Sequence, residues 1–440
     1  MTKPRSRHRS AHSPETLSRR SFLKRSLAGA GAVFAFPTIV PSSVFGANAP
    51  SNRIVLGAVG MGNMGTSNLR GFLGRDDVQV VAVCDVDSLR LERARQTVNN
   101  ENGTGDCAAY ADFQELIAHP GLDAVSLATP DHWHALVAIA AARAGLDIYG
   151  EKPFSHDLRA GRAMCDAVQR YGRVWQTGSW QRSEEDFHHA AELVHNGRIG
   201  KVHTVEVGLP NGTFREDPPV QEVPGNLDWN RWLGPAPWTP YRGVSHWDWR
   251  WVLDWGGGQM LDWIGHHADI AHWGLGLDRT GPVSIEGVGE FPGGALYDAP
   301  IAYRFVCRYA NGVEMTVANG AQLPKGVGVR WIGDKGWIWV TRGGIASEPA
   351  GLIHERIVPG ESRLYASRDH RGNFIDCVRN RQLTITPAEV AHRSASVGHL
   401  GQIAMLTGRR IRWNPETEEI VNDPGASALL GRACREPWIL

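Results

Sequence analysis

Hydrophobic and polar positions change their period along this chain. Residues 53–60, RIVLGAVG, are apolar and β-branched with little alternation, as a strand buried on both faces requires. A second such run, VQVVAVCD, ends at Asp85, and a third, DAVSLATP, is stopped by Pro130. Between and after them the spacing turns helical: HWHALVAIAAARAG predicts a helix ended by Gly145, and LDIYGEKP another short strand and turn. Strands and helices alternating at these lengths predict a parallel, doubly wound α/β sheet. Ligands of such sheets bind beyond the carboxyl ends of the strands, where Thr129, Pro130 and residues 151–153 fall.

The pattern then changes. VWQTGSWQRS is followed by a helical stretch to about Asn196 and a turn around Gly197 and Gly200. KVHTVEVGLP alternates as a strand does, and IAYRFVCRYA, GVEMTVAN, GVRWIG and GWIWVT read as further strands. Strands in succession without intervening helices predict antiparallel pairing. Residues 209–257 are rich in Pro, Gly and Trp and too long for a mere connector, so they are expected to wall a pocket. Helical spacing returns near residues 369–379 and 388–407. The expected division is residues 1–49, then a nucleotide domain over 50–180 and a second domain over 181–440.

Residues 1–49 are set apart by their own pattern. SRRSFLK at 18–24, with basic residues around it, precedes an apolar run over residues 26–40 that is short for a membrane span. Small residues follow, with Ala47-Asn48-Ala49 in an A-x-A arrangement. This is the make-up of a twin-arginine signal, and the expectation is a periplasmic or otherwise exported protein, soluble once processed. Its partner in export would be the twin-arginine machinery.

Composition narrows the ligand. With 46 basic and 46 acidic residues the formal net charge is zero, which gives no basic excess for nucleic acid and suits a small neutral ligand. Nine of 17 tryptophans lie between Trp229 and Trp273; such rings suit sugar faces, and equally the packing of a long irregular loop. The six cysteines are scattered without a C-x-x-C pair, against a zinc cluster or a disulfide scaffold.

Candidate chemistry begins at Gly60-Met61-Gly62-Asn63-Met64-Gly65, a G-x-G-x-x-G that follows a strand and opens a helix. Its glycines allow a tight turn, close approach of a pyrophosphate and close helix–strand packing. Asp85, at the end of the next strand, can accept hydrogen bonds from a ribose diol and would repel a 2′-phosphate, so NAD is expected ahead of NADP. Further on, Asp262 and His266 in GGGQMLDWIGHHADI are four residues apart, on one face of a helix. Oxidising an alcohol with a nicotinamide leaves a hydroxyl proton for the protein, and a histidine suits that task. A metal reading of Asp262, His266, His267, Asp269 and His272 is disfavoured because these side chains diverge around the helix and no H-E-x-x-H occurs.

Together the G-x-G-x-x-G, ATPDHWHA, EKP and GGGQMLDWIGHHADIAHW motifs resemble the glucose–fructose oxidoreductase, inositol dehydrogenase and MocA family, over essentially all of the chain beyond the signal. The resemblance implies a Rossmann domain followed by an α/β domain on a large, mostly antiparallel open sheet, and a homo-oligomer. It implies Lys152 polarising the substrate oxygen, His266 relaying the proton, and Asp262 orienting the histidine or binding a hydroxyl. Cofactor contacts are expected from residues 60–65, Asp85, Thr129, Pro130, His132 and His134, and from Glu151, Lys152 and Gln181. Arg182, Arg250, Trp251 and His267 are expected near substrate, alongside Lys152, Asp262 and His266. The activity implied is oxidation of a sugar, glycoside or polyol hydroxyl with NAD, and export to where free NAD is scarce adds the expectation that the cofactor is tightly held. Two alternatives stand beside it: a glycosidase or lyase working through transient oxidation, and a sugar-binding protein without catalysis.

Overall fold

The structure, a computed structural model, describes residues 52–294 and 296–440. The twin-arginine stretch and the boundary at residue 49 lie outside the described residues. Six strands form the first sheet: β1 (Ile54–Val59), β2 (Val78–Cys84), β3 (Ala108–Tyr110), β4 (Ala124–Leu127), β5 (Asp147–Gly150) and β6 (Trp175–Thr177). All pair in parallel, in the order β3-β2-β1-β4-β5-β6. β4 and β5 are buried along their whole length, which explains their lack of alternation.

Crossovers run through α1 (Asn63–Leu73), α2 (Ser88–Asn102), α3 (Phe113–Ile117), α4 (His134–Arg143) and α5 (Leu158–Arg170). Aspartates cap several of them; Asp87 accepts from the amides of Leu89 and Arg90, and Asp157 from that of Ala160. The order reverses between β1 and β4, so the loops leaving their carboxyl ends diverge and open a crevice.

Nine strands form the second sheet: β7 (Val202–Leu209), β8 (Ser284–Glu290), β9 (Ala302–Arg308), β10 (Glu314–Asn319), β11 (Gly328–Gly333), β12 (Gly336–Thr341), β13 (Gly344–Glu348), β14 (Ile411–Asn414) and β15 (Glu419–Ile420). Their order is β13-β12-β11-β7-β10-β9-β8-β14-β15, antiparallel throughout except where β7 pairs with β10. One face buries Val205, Val207, Phe305, Val317 and Trp331 against α6 (Glu185–His195), α7 (Gly258–Leu275) and the helix over Ala388–Thr407.

One late element returns to the first sheet. α8 (His370–Asn380) buries Phe374, Ile375, Cys377 and Val378 among the side chains of β1, α1 and β2. Phe374 meets Tyr149 edge-on at 5.8 Å, and Arg381 donates to Asp147 at 3.0 Å. The long loop between β7 and α7 has a core of its own. Trp229 and Trp232 stack at 4.8 Å, and Trp255 meets both edge-on. All six cysteines are free thiols, five of them buried.

Candidate active site

A cleft of about 370 Å³ lies across the carboxyl ends of β1 to β5. The glycine turn forms one wall. Gly60 takes φ +86°, and a Cβ there would meet the Ala128 carbonyl oxygen at 2.6 Å. A Cβ on Gly65 would lie 1.7 Å from the Gly60 carbonyl oxygen, so only glycine lets α1 pack this close. Gly62 begins α1 without a side-chain cap, leaving helix-start amides beside the cleft-lining Asn63 and Met64 for an anion.

At the end of β2, Asp85 lines the cleft and braces the turn. The Met61 amide donates to its Oδ2 at 2.6 Å and the Asp87 amide to its Oδ1 at 2.8 Å. Burial pushes this carboxyl up, and the two amides pull against it. Thr129 Oγ1 and Ser245 Oγ are buried in the cleft wall without a protein hydrogen-bond partner. Uncapped helix amides, a strand-end carboxylate and two unsatisfied hydroxyls fit the diphosphate, ribose and amide groups of a dinucleotide.

At the far end the charges gather. Lys152 Nζ donates to Asp262 Oδ1 and to the Asp262 carbonyl, both at 2.9 Å. Arg250 Nε approaches the same Oδ1 at 3.4 Å, its guanidinium 4.4 Å from the ring centres of Trp247 and Trp249. Burial opposes ionisation of Asp262, but Lys152 and Arg250 outweigh it and hold the carboxyl below the usual aspartate range. His266 does share α7 with Asp262, but Asp262 turns to Lys152 and Arg250 rather than to the histidine. The imidazole is 3% exposed, with Trp180 and Trp263 edge-on to it, and its Nδ1 has no hydrogen-bond partner. Burial, aided by the Lys152 and Arg342 cations, drives its pKa well below the usual value, so the ring is neutral.

Several expected contacts fall elsewhere. Glu151 and Pro130 line the cleft, and Glu151 accepts from Asn68 at 2.8 Å. His132 and His134 are buried braces outside the lining. His134 lies between the carbonyls of Pro153 (2.9 Å) and Thr129 (3.0 Å), and His132 between those of Trp255 and Trp232. Burial pushes His132 down to about 4 and lowers His134 as well, so each neutral ring donates to one carbonyl at a time. Gln181 is fully buried; its amide donates to the His266 carbonyl and accepts from Arg342 Nε, both at 3.1 Å.

Arg182 corrects the expectation of a substrate contact. It is locked in a buried ion pair with Asp269 (2.6 Å) and Asp278 (2.8 Å), an anchor for α7. Trp251 belongs to the aromatic core of the long loop, and His267 turns to the Gly208 carbonyl at 2.8 Å on the sheet side. The reason is geometric: α7 is buried all round, so its polar side chains find partners in different directions. Among the described residues, no group of three His, Cys, Asp or Glu could hold a metal ion.

Further lining residues come from the long loop, whose composition signals a wall but not which side chains face the cleft, and from two places without a local signal. Trp232, His246, Trp247 and Trp249 come from the long loop, Arg90 from α2, and Asp131 from the turn after β4. Trp438, near the end of the chain, packs edge-on against Trp133 at 4.8 Å and closes one side.

Comparison with known proteins bears on the family and the fold. A family model described as "Oxidoreductase family, NAD-binding Rossmann fold" matches residues 54–179, and one described as "Oxidoreductase family, C-terminal alpha/beta domain" matches residues 211–440. Myo-inositol 2-dehydrogenase of Thermotoga maritima is 30% identical over 152 residues, 34% of this chain and 44% of that protein. A glycosyl hydrolase family 109 protein of Stenotrophomonas maltophilia is 32% identical over 228 residues, 50% of this chain and 49% of that protein. The chain thus spans about half the length of the curated relatives it matches. The WlbA dehydrogenase from Bordetella pertussis, solved with NADH and UDP-GlcNAcA, shares the fold: TM-score 0.60, 19% identity, 82% of this chain and 99% of that one. So does aldose-aldose oxidoreductase from Caulobacter crescentus, with TM-score 0.60, 18% identity and the same coverage.

Proposed function

The chain belongs to the glucose–fructose oxidoreductase, inositol dehydrogenase and MocA family of NAD-binding oxidoreductases, and from that premise we propose that it oxidises a hydroxyl of a sugar, glycoside or polyol. The observation that carries this reading is the Lys152–Asp262–Arg250 cluster in the same cleft as the glycine turn. The dinucleotide, when bound, supplies the hydride acceptor. The protein supplies the rest. Lys152 stabilises charge developing on the substrate oxygen, and Asp262 fixes the ammonium there. Arg250, flanked by two indoles, offers donors to neighbouring hydroxyls, while the exposed Trp247 offers an indole surface suited to a sugar ring. Asp85 favours NAD over NADP, since its carboxylate would repel a 2′-phosphate.

Tight retention of the cofactor is part of the proposal. The long loop is fastened over the end of β2: the Ser88 amide donates to the Asn226 carbonyl at 2.8 Å, and Asp87 accepts from Asn226 at 2.8 Å and meets His246 at 2.9 Å. Together with Trp438 this roof opposes escape of a bound nucleotide, as an exported enzyme dependent on NAD would require. Export by the twin-arginine route and a homo-oligomer formed through the open face of the second sheet complete the reading.

One test is to isolate the protein without added nucleotide and record the absorbance of reduced nicotinamide before and after adding candidate sugars and polyols. A rise without added NAD is expected; activity only with added NAD would remove the retained cofactor. Similarity to the family 109 protein supports a second reading, cleavage of a glycoside through transient oxidation. Free sugar released with no net change in nicotinamide would select it.

A further inference from the structure

Arg342 stands in the turn between β12 and β13 and reaches α7. Its guanidinium carbon lies 4.4 Å from the ring centre of Trp180 and 4.5 Å from that of Trp263. These same two indoles stand edge-on to His266, at 6.1 and 5.8 Å. Arg342 Nε donates to the Gln181 side chain at 3.1 Å, and Gln181 donates in turn to the His266 carbonyl at 3.1 Å. Lys152 approaches the same stretch of α7: its Nζ donates to the Asp262 carbonyl at 2.9 Å, and a Cβ on Gly265 would touch its Cβ at 3.4 Å. Trp263 follows Asp262 in the chain, so one turn of helix carries contacts to Lys152, His266 and Arg342.

What Arg342 lacks is a counterion. Arg182, in the turn after Trp180, is closed by Asp269 and Asp278 at 2.6 and 2.8 Å. Arg342 has no such pair among the described residues; Glu184 and Asp262 act on it only through space. With Nε bonded to Gln181, its two terminal amino groups have no hydrogen-bond partner among the described residues, and the turn is exposed. A surface arginine is ordinarily mobile and hydrated, whereas this one is held in one plane by two indoles. Nearby, Lys152 and Arg250 share the single carboxylate of Asp262, at 2.9 and 3.4 Å. The chain as a whole is neutral, but this end of the site carries three cations around one anion, a local field that favours an anionic ligand.

We propose that Arg342 is a specificity-determining residue that grips a carboxylate of the substrate, which makes the preferred substrate a sugar acid rather than a neutral sugar. This rests on the oxidoreductase reading and narrows its substrate class. The planar fork of the guanidinium matches the two oxygens of a carboxylate, while Trp180 and Trp263 keep water from its faces and fix its direction. The substrate's reacting hydroxyl then turns to Lys152. A neutral sugar would leave the arginine without a counterion in the bound state, and discrimination follows from that difference.

The test pairs a binding readout with a kinetic one. Calorimetry on the full chain loaded with NAD compares D-glucuronate with D-glucose and D-galacturonate with D-galactose; nicotinamide reduction gives the kcat/KM ratio within each pair. In at least one pair the acid should bind more tightly than its neutral partner, and the gap should shrink as salt rises. Arg342→Gln should cut the acid-to-neutral ratio by about 10–100-fold, mainly through KM, and Arg342→Lys, which keeps the charge and loses the fork, should fall between. The lysine variant also serves if the glutamine variant fails to fold. An active wild type without preference for the acid in either pair, or with a preference that both variants retain, would overturn the proposal alone. Tighter binding of D-glucose 6-phosphate than of D-glucuronate, also lost in Arg342→Gln, would overturn the choice of a carboxylate. A wild type that binds the acid through Arg342 but reduces no nicotinamide with any hydroxyl substrate would overturn the oxidoreductase reading and leave the binding assignment standing.

Discussion

Lys152 and Asp262 are separated by 110 residues in the chain and by 2.9 Å in space, and the charge balance of the site turns on that contact. Replacing Lys152 with Met removes the only ammonium bonded to Asp262 among the described residues and leaves Arg250 as its remaining cation. We expect kcat to fall by about 10²–10⁴-fold, measured as nicotinamide reduction at saturating substrate. Asp262 also sets an acid limit on stability. Its folded pKa lies below the unperturbed 3.8, so its stabilisation is complete above that value and is lost as pH falls through the lower folded value. Asp262→Asn should therefore flatten the acid limb of Tm against pH, and an unaltered limb would show that the carboxyl gains nothing from its partners. The strand before EKP placed Lys152 at a ligand-binding strand end, while its role came only from the family resemblance. Arg182 was not, because a sequence shows that a cation is present and not that Asp269 and Asp278 have already claimed it.

At the scale of elements, the turn between β1 and α1 separates folding from binding. The nearest atom to a Cβ on Gly62 is an Arg90 side-chain nitrogen at 3.3 Å, which can move, whereas a Cβ on Gly65 strikes the backbone of Gly60. Gly62→Ala should leave Tm nearly unchanged and weaken NAD binding by calorimetry, while Gly65→Ala should lower Tm itself; equal losses of Tm would refute the distinction. Strand–helix alternation made most of the first sheet readable, because its central strands are local and largely buried, whereas the short, part-exposed β3 left no apolar run. The parallel β7–β10 pair escaped the expectation of antiparallel strands, since pairing across a hundred residues leaves no periodic trace. α8 escaped too: its helical spacing is plain, yet nothing in it says that Phe374 packs on the first sheet. Phe374→Ala should destabilise the protein by about 3–5 kcal/mol, read from denaturant unfolding, and an unchanged midpoint would deny that contact.

Across the whole molecule, the cleft is assembled from segments remote in the chain: strand ends, the long tryptophan-bearing loop and the tail that brings Trp438 against Trp133. The loop's composition announced a wall, but most of its indoles hold one another rather than a ligand. The tail announced nothing, because its contacts, Trp438 with Trp133 and Phe113 and Arg435 with Gly234 and Asn230, exist only after folding. Trp438→Ala should speed dissociation of bound nucleotide severalfold in a chase experiment with the chemistry otherwise intact, and an unchanged off-rate would remove the tail from the roof. The central claim is that Lys152, held by Asp262, serves oxidation of a hydroxyl beside the dinucleotide. Its most direct test is a single-turnover measurement of reduced nicotinamide after mixing the protein, loaded with NAD, with a sugar or polyol substrate. The account predicts a rapid rise in the native protein that is all but lost in Lys152→Met although NAD still binds; equal rises in the two proteins would contradict it.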